Sequence, residues 1–480
     1  MKRTLLLLLV LLVGGGWLIA GAGQGTRREQ VVSAGVPLEE VHPSGAGRRP
    51  GVVVAHGFSG SAKLMAPFGD TLAARGYVVV LLDFAGHGAN TGPLPDQSAS
   101  TGESTRTLDH DLDVAVARLR SLPDVDPSRI ALVGHSMGAG AVTRYAAAHP
   151  EITATVAISL PGPGAASPQG PAGLLTLVGA LEFPGFQATA ETVAAQRPDR
   201  RADTIAGVEH ITVLYAPETH RETVAWLDTA FGGPLNDAPI PFPARRLIGA
   251  ALLVLALLIG FVPLIALLTG RPAGPPPPWR PSRPVQTLSA TAVAATIGAV
   301  AARFLPTTGL PIAIAGYVTG YALVTGALLL WYATRRPSPA RQPSSSRLLL
   351  AVPYAALAIA VPVHLGLTHA LPVGDRWWLL LIMWAAFALF SYAAERASGG
   401  STLLLLSISA VFTVVLAAAA VAGLTSSFVV LALFPLVGLF LWQAAWSAVL
   451  HRFAVAPTVT ALIGSIVLTW PLVVTLPLIG

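Results

Sequence analysis

The 480-residue chain contains no cysteine. That excludes a disulfide, a thiolate metal site and a cysteine nucleophile, and it is compatible with a domain outside the cytoplasm. Lysine is nearly absent too, occurring only as Lys2 and Lys63, so the positive charge is almost all arginine. Charged residues make up 11% of the chain, against roughly one quarter in an ordinary soluble domain. The deficit is local. Residues 27–246 carry a normal mix of Asp, Glu and Arg, whereas residues 247–480 are almost unbroken apolar runs. The net charge is +6, but much of the arginine sits in short loops between apolar runs, as membrane topology requires. No basic stripe interleaved with aromatics is present, so no nucleic-acid partner is expected.

What is present divides the chain. Residues 1–22 combine a basic start, the apolar stretch Thr4–Val13 and small residues at Ala20 and Ala22, the pattern of a secretory signal or an uncleaved anchor. Residues 28–233 alternate short β-rich runs with helix-compatible runs. Arg28–Ser33 and Val36–His42 can pair as a hairpin. Strands are expected at Gly51–Ala55, Tyr77–Leu82, Arg129–Gly134, Thr153–Leu160, Leu174–Ala180 and Asp203–Glu209. Helices are expected at Ala62–Arg75, Glu103–Ser121, Met137–His149 and Glu218–Phe231. Continuous apolar strands alternating with helices imply a mostly parallel sheet covered on both faces, an α/β fold. The loop Pro161–Gly173 is too rich in Pro and Gly for a helix or a lid domain.

A Pro-rich linker, residues 234–246, leads to a multi-pass region at 247–480. Apolar runs at 247–269, 286–305, 309–333, 348–370, 377–394, 401–424, 427–449 and 456–478 each approach the ~20 residues that a bilayer-spanning helix needs. They imply an all-α transmembrane bundle of about eight helices. The Pro- and Ser-rich linkers Arg271–Pro284 and Arg335–Arg347 read as flexible surface loops.

Gly134-His135-Ser136-Met137-Gly138 is a G-x-S-x-G pattern between the apolar run Ile130–Val133 and the helix-compatible run Ala139–Ala148. The two glycines leave room for a strained turn that lifts the Ser136 hydroxyl clear of the sheet. The Met137 backbone N–H then lies at a helix start, where it can face an oxyanion. His56-Gly57-Phe58 ends an earlier strand, where a second such N–H is expected from Phe58. His56 reads as a structural loop histidine. Asp83 and His87, in Asp83-Phe84-Ala85-Gly86-His87-Gly88, read as braces of their loop.

These stretches, VVVAHGFSG, LLDFAGHG and GHSMG, resemble the α/β-hydrolase superfamily in order and in placement at strand ends, over residues 28–233. The resemblance implies a serine esterase-type hydrolase with a triad in the chain order Ser, acid, His. Glu182, just after Leu174–Ala180, matches the acid position, with Asp199 and Asp203 as rivals. His210, ahead of the last helix, matches the histidine, with His220 as rival. Ser136 would attack, His210 would take and return the proton, and Glu182 would hold the imidazole. No cofactor is required, and the acidic and histidine residues show no ligand spacing, so no metal is expected. Ser136 and Glu182 lie too close in sequence for a lid insertion, so the pocket should be open or shallow.

In the apolar half, ionisable residues fall at or near predicted span ends, except His364 and His369. That reads as an anchor or lipid-facing platform more than a transport pathway. The expected partners are an ester substrate, small or lipid-like, and the bilayer. The expected location is the cell membrane, with the hydrolase domain extracytoplasmic. The alternatives are a transport or sensor protein with a non-catalytic hydrolase-like domain, or an acyltransferase or peptidase with the same triad.

Overall fold

The computed structural model describes residues 2–95, 101–270, 274, 283–335 and 346–480. The chain divides into two compact units. One contains residues 13–252, 364–369 and 477–480; the other contains residues 1–12, 253–363 and 370–476.

After helix α1 (Lys2–Ala20), the first unit builds an eight-stranded sheet in the order β1-β2-β4-β3-β5-β6-β7-β8. Its strands are β1 (Thr26–Ser33), β2 (Val36–Pro43), β3 (Arg49–Ala55), β4 (Val78–Leu82), β5 (Val125–His135), β6 (Ala154–Ile158), β7 (Leu174–Gly179) and β8 (Arg201–Ile205). β2 runs antiparallel to β1 and β4, and the remaining pairs are parallel. The helices are α2 (Ala66–Ala74), α3 (Thr101–Ser121), α4 (Met137–Ala148), α5 (Pro184–Ala194) and α6 (Pro217–Ala230).

The central strands are apolar throughout because both faces are covered. Val53, Val80 and Leu132 pack with Leu108, Leu112 and Leu119 of α3. Their neighbours Val52, Val54, Val79 and Val133 point the other way, into a core with Phe68 and Leu72 of α2 and Leu227 of α6. The period of two in the strands and of three to four in the helices is thus satisfied in both layers. Each fully buried Val or Leu contributes about 1.5–3 kcal/mol over exposure.

Three local expectations need correction. The last strand lies at Arg201–Ile205 and not Asp203–Glu209, because Gly207 turns the chain at φ +72°. The sequence reading also gave no helix between the last two strands, yet α5 fills that interval. Pro184 stands at its first turn, where the missing N–H costs nothing. The apolar run 348–370 yields a shorter α-helix, which ends at Gly366.

The second unit holds α7 (Arg245–Thr269), α8 (Pro284–Ala302), α9 (Ala315–Thr334), α10 (Ala351–Gly366), α11 (Arg376–Ser398), α12 (Thr402–Val421), α13 (Val430–Arg452) and α14 (Pro457–Thr475), some of which begin or end in the first unit. Among the described residues, nine helical stretches are long and apolar enough to cross a membrane, α1 included. Small residues let helices approach closely: a Cβ on Gly326 would lie 2.7 Å from the Phe390 backbone nitrogen. Several polar groups buried between these helices are paired. Gln443 donates to Ser391 at 2.9 Å, Trp384 to Ser465 at 2.8 Å, and His451 to Glu395 at 2.8 Å. Buried Arg376 donates to the carbonyls of Val473 and Leu476 at the C-terminal end of α14, where the helix dipole favours a cation. The linkers around 271–284 and 335–347 lie largely outside the described residues.

Candidate active site

The parallel strands end at one edge of the sheet, and the site is built there from the turn upward. β5 runs into Ser136, whose φ is +52°, a region that a side-chain-bearing residue enters only under strain, at a cost of about 1–3 kcal/mol. The flanking glycines make the turn possible. A Cβ on Gly134 would lie 2.4 Å from the Gly138 carbonyl oxygen, and one on Gly138 would lie 2.5 Å from that of His56. The Ser136 N–H bonds to the Ile158 carbonyl at 2.8 Å, fixing the turn against the neighbouring strand.

From this serine a line of hydrogen bonds runs through the site. The Ser136 hydroxyl lies 3.1 Å from His210 Nε2, and His210 Nδ1 donates to Glu182 Oε2 at 2.7 Å. Glu182 is 7% exposed. Its other oxygen accepts from the Ser159 hydroxyl at 2.7 Å and from the Gly179 N–H at 2.8 Å. Two donors thus hold Oε1, which orients the group and turns Oε2 toward the imidazole. Phe58 and Met137 bracket the serine: Gly57 abuts Ser136, with a built Cβ 3.0 Å from that of the serine, and Met137 is the first residue of α4.

The rivals are placed elsewhere. Asp199 pairs with Arg197 at 2.8 Å and Asp203 with Arg201 at 2.7 Å, both on the surface. His220 is buried, stacked on Phe68, accepting from Thr71 and donating to the Leu214 carbonyl. Burial holds it neutral, with its pKa pushed down to about 4.

Two participants were not legible in sequence. Ser159, just beyond β6 at φ +56°, carries no motif; only its place at a strand end marks it. His135 is the first variable residue of the G-x-S-x-G pattern. It donates through Nε2 to the His210 carbonyl at 2.9 Å, and burial, with His210 nearby, drives its pKa down to about 3. His56 also has structural partners: Nδ1 donates to the Gly57 carbonyl and Nε2 accepts from the Phe84 N–H. Asp83 accepts from the N–H groups of Ala62 and Ala89.

A second cluster departs from the expectation of scattered acids. Glu29 and Glu40 face each other across the hairpin, and with His42 they present atoms within 4.8 Å of one another. Arg27 pairs with Glu29, Arg118 with Glu40, and His42 with Asp124.

A serine on a strained strand-to-helix turn, bonded to a histidine that is oriented by a buried carboxylate, follows the logic of a nucleophile–base–orienter set. The eight-stranded sheet that presents it at its strand ends completes the pattern. The fold is that of the α/β-hydrolases. In agreement, residues 47–201 match the family described as serine aminopeptidase, S33. The chain is also similar to Cutinase 1 of Thermobifida cellulosilytica, 31% identical over 108 residues, which are 22% of this chain and 38% of that protein. A cutinase of Thermobifida fusca is 31% identical over 108 residues, 33% of its length. The similarity thus spans little more than a third of these curated relatives. Among solved structures, a dienelactone hydrolase of Anabaena variabilis covers 44% of this chain and is itself covered completely, at 21% identity and a TM-score of 0.35. An esterase of Pyrococcus furiosus covers 42% of this chain, at 19% identity and a TM-score of 0.33.

Proposed function

We propose that the protein is a membrane-bound serine hydrolase of carboxylic esters. The observation that carries this reading is the continuous line Ser136–His210–Glu182 at a strained turn. In the proposed reaction, Ser136 Oγ attacks the ester carbonyl carbon while its proton passes to His210 Nε2. The imidazolium is stabilised by Glu182. The oxyanion accepts from the N–H groups of Phe58 and Met137. The C–O bond then breaks, His210 protonates the departing alkoxide, and water repeats the sequence on the acyl-enzyme to release the acid. Every step uses side chains and backbone of the domain.

The rim favours an apolar acyl group. Leu181 and Phe183, on either side of Glu182, are 67% and 68% exposed, and Ile211, next to His210, is 44% exposed. Phe186 lies against the His210 ring, with centroids 4.9 Å apart. Large apolar side chains grouped around a reaction centre favour an apolar substrate part, in keeping with the lipid-like ester reading.

The nine apolar helices support a membrane location. With the N-terminus inside, the inner segments hold eleven Lys and Arg residues and the outer flanks six, an asymmetry that supports a hydrolase domain on the outer side. In that count residues 364–369 and 477–480 lie at the outer ends of their spans, and both belong to the compact unit of the hydrolase domain. A phosphatase fused near Asp237 should be active and a fluorescent protein there dark; the reverse would overturn the sidedness.

The test of activity is fluorophosphonate labelling of the full chain in membranes, followed by p-nitrophenyl esters of increasing chain length. Labelling that vanishes in Ser136→Ala, with turnover lower by roughly four to six orders of magnitude, is the expected result. Undiminished labelling in that variant would overturn it. The family match to serine aminopeptidases favours one second reading, a peptidase. Aminoacyl p-nitroanilides run in parallel decide between the two.

A further inference from the structure

Among the described residues of the hydrolase domain, the interval 159–173, where no lid insertion is expected, contains only one short 3-10 turn, Pro163–Ala165. The loops beside the catalytic serine are instead held by residues far along the chain that belong to the same compact unit. The Ser61 hydroxyl donates to the Leu367 carbonyl at 2.6 Å. His369 Nε2 faces Asp83 Oδ2 at 3.5 Å, and Asp83 Oδ1 accepts the Ala62 N–H at 2.7 Å. Burial alone would raise the Asp83 carboxyl, but the contact from His369, the neighbouring His56 and the N–H groups of Ala62 and Ala89 outweigh it and hold it below the ordinary value. The tail makes a parallel bridge, with Leu478 N–H bonding to the Gly86 carbonyl and Leu94 N–H to that of Leu478. A Cβ on Gly86 would lie 2.3 Å from the Leu478 oxygen, so this docking needs glycine.

The contacts of Leu367 and, through Asp83, of His369 converge on one loop. Residues 57–62 begin at Gly57, packed on Ser136, pass through Phe58 and end at Ser61 and Ala62. Ser59 stands at φ +59° and the Gly60 N–H returns to the Gly57 carbonyl, so the loop is tight and strained. A strained loop keeps its shape only when its surroundings over-determine it. Ser61 and Ala62 are its anchors, and each is tied, directly or through Asp83, to residues 367–369.

We propose that His369 and Leu367, in the connection between α10 and α11, are positioning residues for the hydrolase reaction. They brace the loop that presents the Phe58 N–H to the oxyanion. This rests on the serine-hydrolase reading of Ser136, and it gives the apolar half of the chain a part in catalysis beyond anchoring. Neither residue touches the reacting atoms. Their effect falls on the transition state, where the oxyanion forms, and not on ground-state binding.

The test uses the full chain in lipid nanodiscs. His369→Ala should lower kcat on p-nitrophenyl butyrate about tenfold, a fraction of the hundredfold or more lost when an oxyanion donor is removed. KM should stay within about twofold, and fluorophosphonate should titrate the same fraction of sites. His369→Gln, which can still donate to Asp83, should restore most of kcat, and Ser61→Ala should resemble His369→Ala. Hydrogen exchange over residues 57–63, read on the same samples, should quicken in His369→Ala and return in His369→Gln. Unchanged exchange with unchanged kcat in His369→Ala overturns the brace, as does a kcat loss matched by a loss of titratable sites. If exchange quickens but the unaltered protein neither labels nor turns over any ester, the serine-hydrolase reading has failed, and the catalytic role of the brace fails with it.

Discussion

The imidazole of His135 donates a hydrogen bond to the backbone carbonyl of His210, its neighbour in the candidate site, at 2.9 Å. The residue preceding the serine therefore also fixes the loop that carries the histidine. Because His135 is buried and its pKa is pushed down to about 3, it stays neutral and keeps its Nε2 hydrogen at working pH. His135→Ala leaves a carbonyl without its partner and a void behind His210. The expected loss is about 1–3 kcal/mol of stability and about tenfold in kcat, since small displacements of a catalytic group are costly. Active-site titration combined with single-turnover kinetics separates the two effects; unaltered turnover per titrated site would remove His135 from the positioning set.

Glu182 is the carboxylate that faces His210, while Asp199 and Asp203 are engaged by surface arginines. Glu182→Gln should fold yet lose roughly four orders of magnitude in kcat, the scale of losing the acid in a comparable triad. Asp199→Asn and Asp203→Asn should remain within about twofold of the unaltered rate, as surface changes away from a site do. Steady-state assays of the three variants decide it, and a dead Asp203→Asn beside an active Glu182→Gln would reverse the assignment.

Ser159 holds the oxygen of Glu182 that His210 does not use. In Ser159→Ala the Gly179 N–H still holds that oxygen, so the carboxylate loosens without being released. A drop in kcat of about three- to tenfold is expected, corresponding to a net hydrogen bond of about 1 kcal/mol. Ser159→Thr should lie between the two if its hydroxyl reaches the same oxygen. Equal rates for all three proteins would show that Glu182 needs no such support.

The buried histidines set a pH dependence of stability. The pKa of His220 is pushed down to about 4 and that of His135 to about 3, chiefly by burial. An unfolded chain takes up protons on these groups from about pH 6.5 downward, whereas the fold refuses them. The unfolded state thus binds more protons in that window, so stability is full above pH 6.5 and falls on acidification toward pH 4. Each unit of separation amounts to ~1.4 kcal/mol. Asp111, raised to about 6 by burial, works in the opposite sense below that pH and blunts the fall. Thermal unfolding of the full chain between pH 7.5 and 4.5 should show a declining midpoint, with a flatter slope in His220→Gln. A midpoint that rises on acidification would contradict the burial of these groups.

Much of the fold was legible because its central strands are apolar on both faces. Val52–Ala55, Val78–Leu82 and Ile130–Val133 advertise themselves, and the glycines around Ser136 mark a turn that few other residues permit. Glu182 and His210 were legible as positions that follow particular strands. What escaped had no pattern of its own. α5 was missed, because Pro184 at its first turn marks a helix start no more clearly than it marks a turn. His369 reads as part of a span, since the apolar run continues past Gly366 while the α-helix does not. Ser159 and His135 act through single hydrogen bonds, which leave no periodic trace. The close approach of Glu29 to Glu40 depends on hairpin register, and hydropathy says nothing about that.

The bond between Ser61 and Leu367 joins residues 306 positions apart. During synthesis at about 5–20 residues per second, roughly 15–60 s separate the emergence of the first from that of the second. Throughout that interval the sheet can assemble, yet its loop beside Ser136 lacks the carbonyl that will hold it. A newly made hydrolase domain therefore matures only after α7 to α10 have been translated, so the order of translation itself delays the finished site.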